Sequence, residues 1–507
     1  MNQPSPALEH LASEFTWLRQ KLVVALREKQ AIGLLPGAEN LRPGTAVYLQ
    51  EVEARIRENE NLAYDKTLEE VLEKQKLHDI EQQRQQNINP YISTFSTRPL
   101  TYLKEKFYLN DNDYLILLLA AAPAFCPTFP RLYAFLQNNF NRQYPSLSLF
   151  MDLFIHPDQH PLYANLLDPA SPLIANALID VKWASPDLPI IYQPLSIPHK
   201  IQRFLCADPR IDPALASYSE LRIVEPDAQP PILSHKELRV WNEIIQKAQH
   251  LLDPPWNLPL YYFTGPFGSG KRKCASEIAR LLKMNLLCVD ATSMTQAFES
   301  FAAGIKIAKR EAVLQNAMLC LFDWERLIPP TTAEDSKFHA EVSAIHQQVC
   351  RDLDAALAST HSTIIVTCEN SVSFPPRLES RNTQIFSLKY PDHDTAYKIW
   401  DLAIPPQHRD QYLDIAEFAH NYRLTPGQIQ NAVTQAAFMA PIESPNRVPT
   451  ENLQHAVKEQ MRHRLSEHAV LLEKRYKWED LIVPRDVETQ LKEIIARYKY
   501  RAKVLTE

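Results

Sequence analysis

Apolar residues recur at three- and four-residue steps along 7–30 (ALEHLASEFTWLRQKLVVALREKQ), which predicts one amphipathic helix. A segment holding glycines and prolines, 33–44, ends it. Residues 46–87 keep a helical period, with Leu, Val and Ile at roughly heptad spacing among many charges. That pattern reads as a solvated helical hairpin, with a partner-binding coiled coil as the alternative. From 98 to about 225 the pattern shortens. Stretches such as RPLTYLKEKFYLNDNDYLILLLAAAPAF and PRLYAFLQNNFNRQYPSLSLFMDLF predict short helices between Asn, Asp and Pro turns, with brief extended pieces such as 190–192. Asn110 and Asp111 stand before the apolar run, where their side chains can accept from the orphan N–H groups of a helix start. The expected product is a compact, mainly helical domain of winged-helix type. Its segment most like a recognition helix, Arg131–Arg142, carries arginine only at its two ends, so a protein-contact or structural role is favoured over DNA binding.

The period changes again further on. After a helix over 234–253, the apolar runs 260–264 (LYYFT), 285–290 (NLLCVD), 317–323 (AMLCLFD), 363–368 (TIIVTC) and 384–388 (QIFSL) alternate with helical patterns at 270–283, 295–314 and 335–359. Apolar strands alternating with helices predict an α/β fold, a parallel sheet with helices on both faces. Residues 392–475 read as helical only, which fits a lid. The expected organisation is a helical region at 1–90, a winged-helix-like domain at 91–230, a nucleotide-binding domain at 231–391, the lid at 392–475 and a further segment at 476–507.

Composition narrows the class. A net charge of −6 over 507 residues gives no global bias toward nucleic acid or anionic membrane. Seven cysteines stand singly, without CxxC or His spacing, which argues against a disulfide framework and a zinc site. The most apolar stretch, Tyr114 to Phe125, is about half a membrane span and contains Pro123. No signal-peptide pattern opens the chain. A reducing, cytoplasmic setting without membrane contact is expected.

The candidate chemistry lies in Gly265-Pro266-Phe267-Gly268-Ser269-Gly270-Lys271-Arg272, which holds three of the chain's eight glycines. The spacing Gly265-x4-Gly270-Lys271, between a strand and a helix, is that of a phosphate-binding loop. Glycines let successive N–H groups turn inward around phosphate oxygens, and the lysine adds a point charge. The motif places Ser or Thr after the lysine to hold Mg²⁺; here that position is Arg272. Asp323, at the end of the third strand, would face the loop at the sheet's carboxyl edge and hold Mg²⁺. A second carboxylate beside it would activate water, but Trp324 takes that place and Glu325 follows one residue late, turned to the other face of an extended chain. Asn370 stands where a polar side chain could reach the γ-phosphate, with Thr367 as a competitor. Arg377 and Arg381 could reach a neighbouring subunit's nucleotide.

In this order, these residues resemble the AAA+ ATPase family. The resemblance makes the loop the Walker A motif, Asp323 the Walker B aspartate, Asn370 the sensor-1 residue, and Arg377 or Arg381 an arginine finger. Leu424-Thr425-Pro426-Gly427-Gln428-Ile429-Gln430 resembles the start of the sensor-2 helix, with Gln430 where the family often has arginine. The upstream order FYLNDNDYLILLLAAAP, LYAFLQNN, YPSLSLFMDLF, SPLIANALIDV and IQRFLCADPRIDPAL is similar to the winged-helix region of large AAA+ proteins linked to contractile injection systems. Those proteins carry a degenerate first ATPase module and an intact second one. Tyr476–Pro484 with VETQLKEIIARYKYRAKVL resembles the lead-in to a second module, so the chain reads as a fragment or as a partner of a separate catalytic module. The resemblance implies ATP or ADP as ligand, Mg²⁺ at Asp323, weak or absent hydrolysis, and protein partners in an AAA+ ring. The alternatives are a non-catalytic scaffold and a winged-helix DNA-binding ATPase.

Overall fold

Helix α1 spans Pro6–Ala31, followed by α2 (Pro99–Lys106), α3 (Asp111–Phe125), α4 (Thr128–Leu136), α5 (Leu147–Phe154), α6 (His199–Leu205), α7 (His235–His250) and α8 (Lys271–Leu281). Then come α9 (Ala291–Ala297), α10 (Phe301–Leu314), α11 (His393–Ala403), α12 (Ile415–Asn421), α13 (Pro426–Phe438), α14 (Thr450–Leu465) and α15 (Arg485–Lys499). The strands are β1 (Asp180–Val181), β2 (Leu195–Ser196), β3 (Ser219–Arg222), β4 (Leu260–Thr264), β5 (Asn285–Asp290), β6 (Ala317–Phe322), β7 (Ile364–Cys368) and β8 (Thr383–Ser387). The structure is a computed structural model; it describes residues 6–31, 77, 98–163, 165–182, 188–225, 229–250, 259–322, 347–355, 364–369, 383–411, 413–439, 447–465 and 481–499. Nearly all of the hairpin expected at 46–87, and much of the helix expected at 335–359, lie outside the described residues. The chain divides into two units. One comprises Met1–Arg222, Asn285–Leu319 and Asp335–Ser362, the other Ile223–Met284, Cys320–Glu334 and Thr363–Glu507.

The first unit is built on the helical pattern read at its start. α1 buries Leu11, Trp17, Leu18, Leu22 and Leu26 in the same core as α3 and α4. α3 begins where its capping residues require: Asp113 N–H donates to Asn110 Oδ1 at 2.9 Å, and Asn110 N–H donates to Asp113 Oδ2 at 3.3 Å. Residues Ile116 to Ala122 are all buried, so the most apolar run is a core helix. α4 also faces inward, burying Phe129, Leu132, Tyr133, Phe135 and Leu136. It ends at Leu136, short of the Arg131–Arg142 segment's end, because Gln137 Nε2 then donates to the carbonyls of Tyr133, Arg142 and Tyr144 and folds the chain into a turn. β1 and β2 form a small antiparallel ladder, Asp180 opposite Ser196 and Val181 opposite Leu195. Between them, the piece read as extended at 190–192 is a 3₁₀ turn, closed by Gln193 N–H on the Ile190 carbonyl at 3.1 Å.

The same unit holds strands in the order β3-β5-β6. β3 runs antiparallel to β5, with Leu221 opposite Leu287. The short SELR run gave no strand signal, since three of its four residues are polar and it is set among turns. The helix expected at 295–314 is two helices. Asp290 accepts from Thr292 and Ser293 N–H, starting α9 early, and Ser300 accepts from Ala303 N–H, starting α10 afresh. α10 carries a buried charged cluster. Lys200 Nζ lies 2.9 Å from Glu311 Oε1 and donates to the Arg210 carbonyl at 2.6 Å. Arg310 pairs with Asp212 and donates to the Ala177 carbonyl at 2.8 Å. Through these contacts α10 is bound to α6 and to the loops on either side of it.

The second unit orders the end of β6, then β7, β4 and β8. β4 is parallel to both neighbours: Tyr262 stands opposite Val366 on one side and Ile385 on the other. All five β4 residues are buried, as a strand covered on both faces requires. Trp241 of α7 packs on Phe263 and Phe386 with ring centroids 6.1 and 5.2 Å apart. α11 to α14 pack around Trp400, Phe418, Leu424, Val433 and Leu453, a separate helical cluster where the lid was expected. The chain is thus a mainly helical region followed by an α/β region whose sheet is mostly parallel but mixed.

Candidate functional site

The loop after β4 has the backbone its glycines permit. Gly265, Gly268 and Gly270 have φ of 145°, 75° and 100°, values that side chains with a Cβ rarely adopt. Two of these also lack room for one: a Cβ on Gly265 would stand 2.4 Å from the Leu388 carbonyl oxygen, and one on Gly268 2.6 Å from Thr425 Oγ1. Gly270 caps α8 without a side-chain hydrogen bond, so the first N–H groups of that helix open toward the loop. Lys271 folds over the loop, its Nζ donating to the carbonyls of Gly265 at 2.5 Å and Pro266 at 3.1 Å. Ser269 is 6% exposed, and its Oγ has no hydrogen-bond partner among the described residues.

Arg272 is half-buried and stacks rather than extending freely into solvent. Its guanidinium lies 4.0 Å from the ring centre of Phe322, the last residue of β6. The Phe322 ring thereby fixes a cation at the position where the motif would put a metal-binding hydroxyl.

These groups face a cavity of about 560 Å³. Phe267 to Arg272 form one wall, and Thr367, Cys368 and Glu369 stand at the carboxyl end of β7. Ile232, Leu233, Ile399 and Leu402 give an apolar wall, and Pro426, Gly427 and Gln430 approach from the start of α13. α13 is itself capped by Thr425, whose side chain accepts from Gln428 N–H. Burial pushes the thiol of Cys274, one turn into α8, up to about 12, so it stays a neutral packing group under the loop.

The six loop residues from Phe267 onward, Thr367 and Gln430 therefore meet at one cavity, while Gly265 and Pro266 supply the carbonyls that hold Lys271. Asp323, Glu325, Asn370, Arg377 and Arg381 lie outside the described residues, as does Trp324. The apolar wall escaped the sequence reading because Ile232 and Leu233 stand before α7 and Ile399 and Leu402 within α11 in ordinary apolar patterns with no motif. Gly427, a rare glycine beside a proline, stood in the stretch resembling the sensor-2 helix start, but nothing there foretold its contact with Gly268.

Residues 5–219 match the family model of the winged helix domain, variant. The N-terminal part is accordingly a winged-helix region, and the match takes in α1 as well as α2 to α6. No curated protein matches the chain. Among the described residues, no helix is long and apolar enough to cross a membrane.

Proposed function

We propose that the second unit binds ATP or ADP in the manner of AAA+ ATPases, with weak or absent hydrolysis, and that the protein acts in the assembly or remodelling of a protein complex. The observation that carries this reading is the loop with three left-handed glycines opening onto a cavity at the start of α8. The N–H groups at the start of α8 and Lys271 suit phosphate oxygens, and the buried Ser269 hydroxyl adds a donor with no hydrogen-bond partner among the described residues. The apolar wall of Ile232, Leu233, Ile399 and Leu402 offers a surface for a nucleobase. Weak hydrolysis follows from three departures with different consequences. Arg272 removes a hydroxyl, Trp324 removes a second carboxylate, and Gln430 removes a lid cation. Phosphoryl transfer relies on positioned charge, so together these losses cost several orders of magnitude in rate.

The winged-helix region adds no support for a DNA reading: α4, the helix most like a recognition helix, buries six of its nine residues and has Arg131 as its one basic side chain. Isothermal titration of the full chain with ATP and with ADP tests the proposal. Micromolar binding lost in Lys271→Ala supports it. No binding of either nucleotide leaves the scaffold reading standing. Mg-dependent turnover at rates ordinary for AAA+ enzymes would overturn the weak-hydrolysis part.

A further inference from the structure

Divalent metal is the usual companion of phosphates in a loop of this kind, and the cavity of the second unit fits it poorly. Lys271, Arg272 and Lys273 follow one another along the cavity wall. The position that would supply a hydroxyl ligand is a guanidinium held over Phe322 at 4.0 Å. A divalent cation set against Arg272 would meet a fixed like charge in a partly desolvated wall.

We propose that the nucleotide in this cavity is held without a divalent metal, with Arg272 supplying the countercharge that Mg²⁺ would otherwise bring. The inference rests on the nucleotide reading above and deepens it. Guanidinium suits the task. It stays charged at every working pH, is weakly hydrated, and presents planar donors to phosphate oxygens. Stacking on Phe322 restricts its rotamers, so less freedom is lost when phosphate binds. Lys271 and the α8 N–H groups complete the positive lining. The Ser269 hydroxyl, 6% exposed and with no hydrogen-bond partner among the described residues, adds a neutral donor to that lining.

The test is titration of the full chain with ATP and ADP, in excess Mg²⁺ and again in EDTA. The expected result is a Kd that changes by less than about threefold between the two conditions. Arg272→Ser should weaken binding in EDTA by tenfold or more, with Mg²⁺ now restoring part of it. Arg272 is half-buried in the first turn of α8 rather than in a core, and the melting curve of Arg272→Ser checks that the unit still folds. Wild-type binding that falls more than tenfold in EDTA overturns the metal-free proposal while leaving nucleotide binding intact. No binding in either buffer overturns both. Equal loss of affinity in Arg272→Ser with and without Mg²⁺ shows Arg272 as a general anion contact and overturns its role as the metal's substitute.

Discussion

Gly427 N–H donates to the Gly268 carbonyl at 2.8 Å, joining the start of α13 to the middle of the phosphate loop. The two glycines meet backbone to backbone: a Cβ on Gly427 would lie 2.8 Å from Gly268 Cα. No flexible side chain can give way there. Gly427→Ala is expected to destabilise the second unit by about 1–3 kcal/mol, the usual range for overpacking, and to lower nucleotide affinity as the loop shifts. Gln430→Ala, on an exposed side chain of the same helix, should stay within about 0.5 kcal/mol. Urea unfolding of both variants checks this; a Gly427→Ala protein as stable as wild type would show that the contact is not tight.

Lys200 and Glu311 are an ion pair with almost no solvent contact, side chains 1% and 0% exposed. Removing one partner leaves the other charge buried alone. Lys200→Met is therefore expected to cost roughly 3–5 kcal/mol, while Lys200→Met combined with Glu311→Leu should recover a large part of that. Denaturant titrations of the three variants give the coupling. Simple additivity of the two single substitutions would argue that the pair is not coupled.

Burial, with Lys306 nearby, lowers the pKa of the α10 residue Lys309 to about 8. Between about pH 8 and 10.5 the unfolded chain then binds the extra proton, so this group makes stability rise with pH, by roughly 3 kcal/mol in all. Burial acts in the opposite sense on Cys274 and Cys350, raised to about 12: above pH 9 the unfolded thiols ionise first and stability falls. The difference between wild type and Lys309→Met isolates the lysine. Lys309→Met should be the more stable protein at pH 7.5, with an advantage that shrinks toward pH 10.5. A pH-independent difference would refute the shift.

Asn110 closes a capping box at the start of the most buried helix of the winged-helix region. Asn110→Ala should cost about 1 kcal/mol and Asn110→Asp much less, since Asp also accepts from Asp113 N–H. Thermal melts of the two variants give the comparison; equal losses would mean that the cap's hydrogen bond is not what matters.

Local chemistry made much of the chain legible in advance. The α1 stripe, the Asn110 cap and the glycine loop each depend on residues a few positions apart, and each stands where its pattern put it. The alternation of apolar runs with helical ones likewise foretold the α/β region, because a strand covered on both faces must be apolar throughout. What the sequence could not fix were meetings between distant segments. Nothing in Arg272 alone says that its guanidinium will rest on Phe322, nor in Gly427 that it will face Gly268. Lys200 and Glu311 read as solvated helix charges until packing removes the water around both. Periodicity and capping act within one element, whereas charge burial and backbone contact arise only when elements pack. The loop was therefore a property of the sequence; the cation fixed beside it was decided by the tertiary structure.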